Sequence, residues 1–258
     1  IDQSNCNKDF SCVKGFCPSF VTVHGGQVKK AKGAGVDTST NNPFTELPEP
    51  TLPSCVEPYG IMVTGIGGTG VITIGALLGM ASHLEGKGIT VLDQTGLAQK
   101  NGAVGSHVRI AQQPEDLHAT RISGGGARLL LGCDIVTAST PDVLAMLEQG
   151  MSSAVINGHV TPPAAFVIDN TIDLSSRIMA KHITDATGEA SSDFVDATTL
   201  ATALLGDSIA SNLFMVGFAY QRGLIPLGRE SIEEAIRLNG VAIDFNLQAF
   251  NWGRLAAH

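Results

Sequence analysis

Short apolar runs alternate with amphipathic segments from residue 59 to the carboxyl terminus. Apolar residues at helical spacing over 71–84, followed by Gly86, predict a first helix with a glycine cap. The remaining runs predict strands at 59–65, 88–94, 106–112, 133–139, 152–157 and 165–170. Residues 94–111 are a polar, glycine-rich loop that leads back into the third strand, where a parallel unit needs a crossover helix, so this strand is expected to return antiparallel. The alternation predicts an α/β fold, a mostly parallel sheet with flanking helices.

The carboxyl-terminal part of the chain has helical patterns. Apolar residues from Phe194 to Arg222 predict one long, mostly buried helix. Small residues on it, such as Gly217, are expected to let a second domain or subunit approach closely. Ser231 and Glu234 match a capping box and predict the start of a final helical region, interrupted at 239–240.

Three regions differ in composition. Residues 31–58 hold five of the chain's eleven prolines and show no regular period, so we interpret them as a linker that runs extended over a neighbouring surface. Residues 1–30 are interpreted as the end of a small cysteine-containing module. Residues 59–258 are interpreted as the main domain.

The stretch GIMVTGIGGTGV runs a predicted strand into glycines and then into the first predicted helix. In this context a G-x-G-x-x-G motif leaves backbone N–H groups facing an anion such as a phosphate. Asp93 stands where dinucleotide-binding folds place the acid that holds a ribose, which favours NAD or FAD. The alternative is that the glycines only let the helix pack closely on the sheet. The residues predicted to bind a cofactor at this turn are Gly65, Gly67, Gly68, Thr69 and Gly70.

The loop after the second predicted strand carries polar side chains suited to covering a ligand or docking a partner, although it also fits an ordinary surface loop. Its candidate ligand-binding residues are Gln99, Lys100, Asn101 and Ser106. Ser106 and His107 are adjacent, so strand geometry would point them to opposite faces and prevent a Ser–His pair. No catalytic residue is predicted in this chain.

Three of the five cysteines, Cys6, Cys12 and Cys17, lie close together as C-x5-C-x4-C-P. Clustered thiolates of this kind favour a [4Fe–4S] cluster, with zinc or no metal as alternatives. A cubane needs four ligands, so the set is incomplete. The fourth is expected from sequence upstream of Ile1, from a partner, or from Cys55. Cys133, on a predicted buried strand, is interpreted as a small core residue.

Charge and hydropathy narrow the class of partner. The formal net charge of −8 argues against nucleic acid, because a polyanion would be repelled. The sequence shows neither a signal peptide pattern nor an apolar run long enough to cross a bilayer, which predicts a cytoplasmic protein without membrane contact.

Longer stretches carry a resemblance to a known family. These stretches are DQSNCNKDFSCVKGFCPSFVTV, GTGVITIGALLGMASHLEGKGITVLDQTGLAQKNGAVGSHVRIA and GDSIASNLFMVGFAYQRGLIPL. Together they resemble the Rossmann-like gamma domain of the pyruvate and 2-oxoacid:ferredoxin oxidoreductases, in particular the indolepyruvate:ferredoxin oxidoreductases of the fused bacterial type. The likeness covers nearly the whole chain.

The resemblance implies part of a thiamine diphosphate enzyme that decarboxylates an aryl 2-oxoacid, passes electrons through [4Fe–4S] clusters to ferredoxin and releases an acyl-CoA. It implies that residues 65–70 and the loop 99–106 contact coenzyme A, and that Cys6, Cys12 and Cys17 are cluster ligands following a ferredoxin-like module. No GDG motif is present, so thiamine diphosphate is expected to bind elsewhere in the enzyme and the isolated segment is expected to be inactive. The implied partners are the thiamine-binding and ferredoxin-like parts, ferredoxin, and further copies in a homo-oligomer.

Overall fold

The computed structural model describes residues 24–26, 43–95, 102–160 and 175–258. From Tyr59 onward, strands and helices alternate in these residues. In chain order the elements are β1 Tyr59–Ile66, α1 Val71–Leu84, β2 Gly88–Thr95, β3 Ala103–Ala111, β4 Ala127–Gly132, α2 Ile135–Ala138, α3 Pro141–Leu144, β5 Ser153–Asn157, α4 Ser176–Thr187, β6 Ser192–Val195, α5 Ala197–Leu205, α6 Ser211–Gln221, α7 Arg229–Asn239 and α8 Ile243–Ala257.

The strands form one six-stranded sheet in the order β2-β3-β1-β4-β5-β6. The pairs β1–β4, β4–β5 and β5–β6 are parallel. β3 pairs antiparallel with both β1 and β2. The antiparallel return predicted for the third strand is confirmed. The mostly parallel α/β sheet with flanking helices is confirmed as well.

Side chains of β1 alternate between the two faces of the sheet. Ile61 and Val63 belong to a core that includes residues of α1, α5, α6, α7 and α8. Met62 belongs to a second core with α2, α3 and α4. The central strands are therefore buried on both faces, which explains their nearly continuous apolar sequence. Among the described residues, no helix has the length and apolar character needed to cross a bilayer.

Helix α6 is the central helix of the first core, and every residue from Asn212 to Tyr220 is buried. It packs closely on α8, because a Cβ added at Gly217 would lie 1.9 Å from the Phe250 carbonyl oxygen. The approach is reciprocal, since a Cβ at Gly253 would lie 1.9 Å from the Phe214 carbonyl oxygen. The close contact expected at Gly217 is thus made by a helix of the same domain.

The strand predicted over 133–139 is wrong, because the fourth strand is Ala127–Gly132. The residues after it turn at once into α2. The Asp134 carboxylate accepts a hydrogen bond from the Thr137 backbone N–H at 2.9 Å and caps this helix. A short apolar run fits either a strand or a buried helix, so the capping residue was the informative signal.

The single helix predicted from Phe194 to Arg222 is also wrong, because this region contains β6, α5 and α6. Asp196 separates the first two elements, since its carboxylate accepts a hydrogen bond from the Thr199 backbone N–H at 3.0 Å and caps α5. Gly206 then ends α5 in the left-handed conformation, with φ of 81°.

The predicted capping box at Ser231 and Glu234 does not form. Helix α7 begins two residues before Ser231, whose hydroxyl donates to the Gly228 carbonyl at 2.8 Å. Glu85, just after α1, serves the amino end of α7 instead, since its Oε1 accepts a hydrogen bond from the Gly228 backbone N–H at 2.6 Å.

Residues 43–58, which we call the strap, precede β1 and contain no helix or strand. Phe44 packs edge-on against the Trp252 ring of α8 at a centroid distance of 5.1 Å. The Gln221 side chain at the end of α6 donates to the Pro48 carbonyl at 2.7 Å. The strap lies within the predicted linker 31–58 and packs on the domain that follows it.

Glu49 of the strap is the centre of a charged network. Its Oε1 lies 3.0 Å from Arg229 Nε and 3.3 Å from Arg254 Nη2, and its Oε2 accepts a hydrogen bond from the Tyr220 hydroxyl. The Arg254 side chain is 1% exposed and also donates to Gln221 Oε1 at 3.0 Å. A buried guanidinium needs such partners, so the strap supplies the carboxylate for a charge inside the domain.

Candidate functional site

The glycine turn at residues 65–70 joins β1 to α1 at the carboxyl edge of the sheet. β1 and β4 are parallel neighbours from which the chain continues to helices on opposite faces of the sheet, the position at which open α/β sheets bind ligands. Gly70 is the residue before α1 and has φ of 91°, a left-handed conformation that favours glycine. A Cβ at Gly65 would lie 2.5 Å from Val71 Cγ2, so a larger residue would push the helix off the strand.

Internal hydrogen bonds use some of the turn's backbone groups. The Gly67 N–H donates to the Gly102 carbonyl at 2.8 Å, and Thr69 donates from its hydroxyl to the Ile66 carbonyl at 2.7 Å. Four amides remain without an acceptor in the part of the chain that the structure describes: those of Gly68, Gly70, Val71 and Ile72. Two of them belong to exposed glycines, Gly68 and Gly70, at the start of a 14-residue helix, and unsatisfied amides in this position are suited to phosphate oxygens.

The ends of β4 and β5 form the neighbouring wall of this edge. The Cys133 N–H donates to the Thr64 carbonyl at 2.8 Å, and the Asn157 amide donates to the Cys133 carbonyl at 3.2 Å. Burial, with a further contribution from the charge of Asp134, raises the pKa of the Cys133 thiol to about 12. Cys133 therefore carries a neutral thiol at pH 7, in keeping with a packing residue.

The polar loop beside the turn lies mostly outside the described residues, and this includes Gln99, Lys100 and Asn101. Ser106 lies inside β3, which begins at Ala103, three residues before the predicted strand 106–112, and so it is not at the end of the loop. It is 0% exposed and lies under α1, since a Cβ at Gly75 would be 2.6 Å from its hydroxyl oxygen. A role for any of these residues in ligand binding stays a prediction.

The cysteine motif of Cys6, Cys12 and Cys17 also lies outside the described residues. Cys55 is described, and it is buried in the core that contains α1 and α6. Within the described ranges no group of three or more His, Cys, Asp or Glu side chains is arranged to hold a metal ion. The iron-sulfur site stays a prediction for the amino-terminal segment.

Asp93 lies on β2, with its carboxylate beside the second turn of α1. In the usual strand order of dinucleotide-binding folds, the strand carrying the ribose-binding acid is adjacent to β1. Here β3 lies between β2 and β1. Asp93 is therefore about 10 Å from the axis of β1, two strand spacings instead of one, and its position disfavours the NAD or FAD alternative.

His107 lies on the face of β3 opposite to Ser106, which confirms that the two side chains do not pair. Its Nδ1 accepts a hydrogen bond from the Ile122 backbone N–H at 3.3 Å, so its proton is on Nε2, which lies 3.2 Å from Gln94 Oε1. Burial and the nearby charge of Arg121 lower the pKa of His107 below its usual value. This histidine is a neutral structural residue.

A groove of about 570 Å³ opens elsewhere, between the strap and the facing ends of α1 and α7. Four carboxylates and one guanidinium line it, from Glu49, Glu85, Glu230, Glu234 and Arg229. An excess of negative charge disfavours a phosphate ligand there. The glycine turn, with amides that lack acceptors among the described residues, has the better chemistry for an anion.

Sequence reasoning missed Asn212. This residue is 4% exposed at the start of α6, and its side-chain amide donates to the Thr69 carbonyl in the glycine turn at 2.6 Å. A lone amide side chain before a wholly apolar helical stretch was the available signal, because a buried polar group needs a partner.

The sheet order, the two helical layers and the glycine turn at the carboxyl edge define a Rossmann-like α/β domain. The family model for pyruvate ferredoxin/flavodoxin oxidoreductase matches residues 60–256. The chain therefore belongs to the pyruvate ferredoxin/flavodoxin oxidoreductase family.

Individual relatives agree with this assignment. The chain is 29% identical over 201 residues to indolepyruvate oxidoreductase subunit IorB of Thermococcus kodakarensis, a match that covers 77% of this chain and 96% of the relative. It is 28% identical over 173 residues to the common gamma subunit of the pyruvate/ketoisovalerate oxidoreductases of Pyrococcus furiosus, covering 67% of this chain and 82% of that one.

Solved structures share the fold. The pyruvate oxidoreductase subunit PORC of Thermotoga maritima has a TM-score of 0.55 at 20% identity, covering 77% of this chain and 96% of that subunit. The 2-oxoglutarate:ferredoxin oxidoreductase of Magnetococcus marinus, solved with 2-oxoglutarate, coenzyme A and succinyl-CoA bound, has a TM-score of 0.56 at 16% identity. That match covers 78% of this chain and 31% of the larger one.

Proposed function

We propose that this chain supplies the gamma part of an indolepyruvate:ferredoxin oxidoreductase and that its glycine turn binds the phosphates of coenzyme A. In the complete enzyme an aryl 2-oxoacid and coenzyme A give acyl-CoA and carbon dioxide, and two electrons pass to ferredoxin. The relatives named as indolepyruvate oxidoreductase subunits support the substrate class.

One observation carries the coenzyme A proposal, the set of amides without acceptors at the start of α1. Coenzyme A carries a pyrophosphate and a 3′-phosphate, and a helix amino end with exposed amides suits such groups. The chain's net charge of −8 leaves local N–H groups as the main attraction for an anion. The negative net charge and the amides at the start of α1 together support a phosphate site formed by backbone N–H groups.

The remaining chemistry is assigned to other segments. We propose that Cys6, Cys12 and Cys17 provide part of a [4Fe–4S] site that relays electrons, with its fourth ligand outside this set. Thiamine diphosphate, which would stabilise the carbanion left by decarboxylation, is expected in a partner part of the enzyme. No catalytic residue is proposed for this chain.

A second role, in assembly, is supported by the outer face of α1. Ile72, Met80 and Leu84 are each 40–44% exposed, and with Ala76 they form a ridge at four-residue spacing. The helix has no acidic or basic side chain except His83. An apolar surface of this kind is typical of a protein interface, and we propose that a partner part of the enzyme covers it.

Calorimetry with the 258-residue chain tests the ligand. We expect coenzyme A to bind and NAD and FAD to bind at least tenfold more weakly, and Asp93→Ala to leave coenzyme A binding unchanged. Tight NAD binding that Asp93→Ala abolishes would overturn the proposal in favour of a dinucleotide enzyme. Anaerobic iron and sulfide analysis of the same chain should give a substoichiometric cluster.

A further inference from the structure

Asn212 connects α6 to the glycine turn across 143 positions of sequence. Its side chain is buried, and its Nδ2 lies 2.6 Å from the Thr69 carbonyl oxygen. Only the amide nitrogen of an asparagine can donate to a carbonyl, so this contact fixes the orientation of the amide group. The two atoms are within hydrogen-bond distance.

The hydrogen bond acts on the peptide group between Thr69 and Gly70. The described residues contain no cis peptide bond, and in a trans peptide the C=O and the N–H point in opposite directions. With the Thr69 carbonyl held toward buried Asn212, the Gly70 N–H points away from α6, and Gly70 itself is exposed. This amide is one of the four without an acceptor among the described residues.

Among the described residues, Asn212 makes the one hydrogen bond to the Thr69 carbonyl, so it is the contact that opposes rotation of this peptide group. Gly70 has φ of 91°, and glycine populates positive and negative φ with similar ease. A rotated peptide would present the Thr69 carbonyl oxygen, the negative end of its dipole, to the phosphate site. A Cβ at Gly70 would lie 3.4 Å from Asn212 Nδ2, so the two residues are packed together.

We propose that Asn212 is a positioning residue for the anion site, which holds the Gly70 N–H in the direction of a phosphate oxygen before the ligand arrives. The inference rests on the proposed function, in which the phosphoryl oxygens of coenzyme A are the groups that the Gly70 N–H would contact. Preorganisation of this kind improves affinity because the ligand does not have to order the turn.

The test compares Asn212→Leu, which keeps the volume and removes the donor, with Asn239→Leu at an exposed site on α7. The probe is inorganic pyrophosphate, titrated into the 15N-labelled chain and followed by amide chemical shifts. In the wild type and in Asn239→Leu, we expect shifts at Gly70, Val71 and Ile72. In Asn212→Leu, the shift at Gly70 should be lost and the affinity should fall about tenfold, the effect of one lost hydrogen bond.

The outcomes separate the two proposals. If the wild type shows no shift at any of the three amides, the phosphate site itself is wrong and the role of Asn212 falls with it. If Asn212→Leu binds pyrophosphate as the wild type does, with the Gly70 shift intact, only the positioning role is overturned.

A measurement on the unmodified chain covers the case in which Asn212→Leu does not fold. The hydrogen bond should give a through-bond scalar coupling between Asn212 Nδ2 and the Thr69 carbonyl carbon in deuterated protein. Its detection supports the proposal, and its absence under conditions that reveal the coupling from Asn157 to Cys133, a comparable side-chain bond of 3.2 Å, overturns it.

Discussion

The two ends of α6 contact two different kinds of structure. At its amino end, Asn212 supports an exposed turn whose useful groups are backbone amides. At its carboxyl end, Tyr220 and Gln221 bind the strap through side chains, above the buried guanidinium of Arg254. In the described residues the amides at the first end lack acceptors, whereas the charges at the second are paired.

On the proposed function, the difference lets one helix serve both ligand binding and folding. A ligand site has to keep donors available, and water satisfies them until the ligand binds. A contact that stabilises the fold pairs its polar groups with each other inside the chain. Removal of one partner therefore leaves the other partner buried and unpaired. Changes at the turn end should therefore affect binding more than folding, and changes at the strap end should do the reverse.

Gly217→Ala should have the largest effect and should damage both ends together. The added Cβ would lie 1.9 Å from the Phe250 carbonyl oxygen, so α6 and α8 would have to separate. We expect a loss of about 3 kcal/mol in the free energy of unfolding, measured by urea denaturation. Gly79→Ala on α1 is the control, because its Cβ would meet only Val91 Cγ2 at 3.5 Å and helix propensity should improve. Equal stability of the two variants would contradict the close packing.

Glu49→Ala should affect the strap end alone. It removes the carboxylate from Arg254, which is 1% exposed, although Glu49 itself is 51% exposed and thus partly screened. We expect a loss of about 2 kcal/mol in unfolding free energy, below the usual range for a fully buried pair. Coenzyme A affinity should not change.

Glu46→Ala provides the control for this strap variant, because Glu46 is exposed on the same segment. It should alter stability by less than about 0.5 kcal/mol. A coenzyme A affinity that falls with Glu49→Ala would show that the two ends of α6 are coupled, contrary to the comparison.

Gly70→Ala should affect mainly the turn end. The left-handed φ of 91° disfavours alanine, so we expect a loss of about 1 kcal/mol in stability together with at least tenfold weaker coenzyme A binding. Gly86→Ala is the control. Gly86 lies just beyond the other end of α1, has φ of 70° and has open space around an added Cβ, so alanine there causes a similar backbone strain far from the ligand site. If both variants lose affinity equally, the ligand does not bind at the turn.

The smallest effect concerns pH. Because burial lowers the pKa of His107 in the folded chain, the unfolded chain takes up the proton first as the pH falls through the ordinary value of 6.5. Folding stability should therefore decrease below pH 6.5, and His107→Asn, whose amide oxygen can accept from Ile122, should remove that part of the decrease. Urea midpoints between pH 5 and pH 7.5 measure this, with the exposed His118→Asn as control.

Low pH should also destabilise the structure at the two ends of α6 to different extents. His107 lies on β3, five residues after Gly102, whose carbonyl accepts a hydrogen bond from the Gly67 N–H of the turn. Amide hydrogen exchange at low pH should therefore rise near the glycine turn before it rises at the strap. Faster exchange at the strap first would contradict this order.

Local signals predicted the turn end of the domain well. The strand, the glycines and the first helix were all visible within the residues 59–86, and the absent crossover helix predicted an antiparallel β3. The failures came from apolar runs of ambiguous period, as at 133–139, where the cap by Asp134 decided the structure.

Long-range contacts explain the rest. The ion pair of Glu49 with Arg254 joins residues 205 positions apart, and the contact of Asn212 with Thr69 joins residues 143 apart. No sequence period reports such pairs. A buried amide and a buried guanidinium show only that partners exist, and the fold determines which ones they are.

The strap determines where a shortened version of this protein can begin. The family match starts at residue 60, and a recombinant chain cut there would lack both Phe44 and Glu49. The Trp252 ring would lose its edge-on partner and the Arg254 guanidinium its carboxylate. The smallest soluble, cooperatively melting piece should therefore start before Phe44, about sixteen residues ahead of the boundary that family membership alone would suggest.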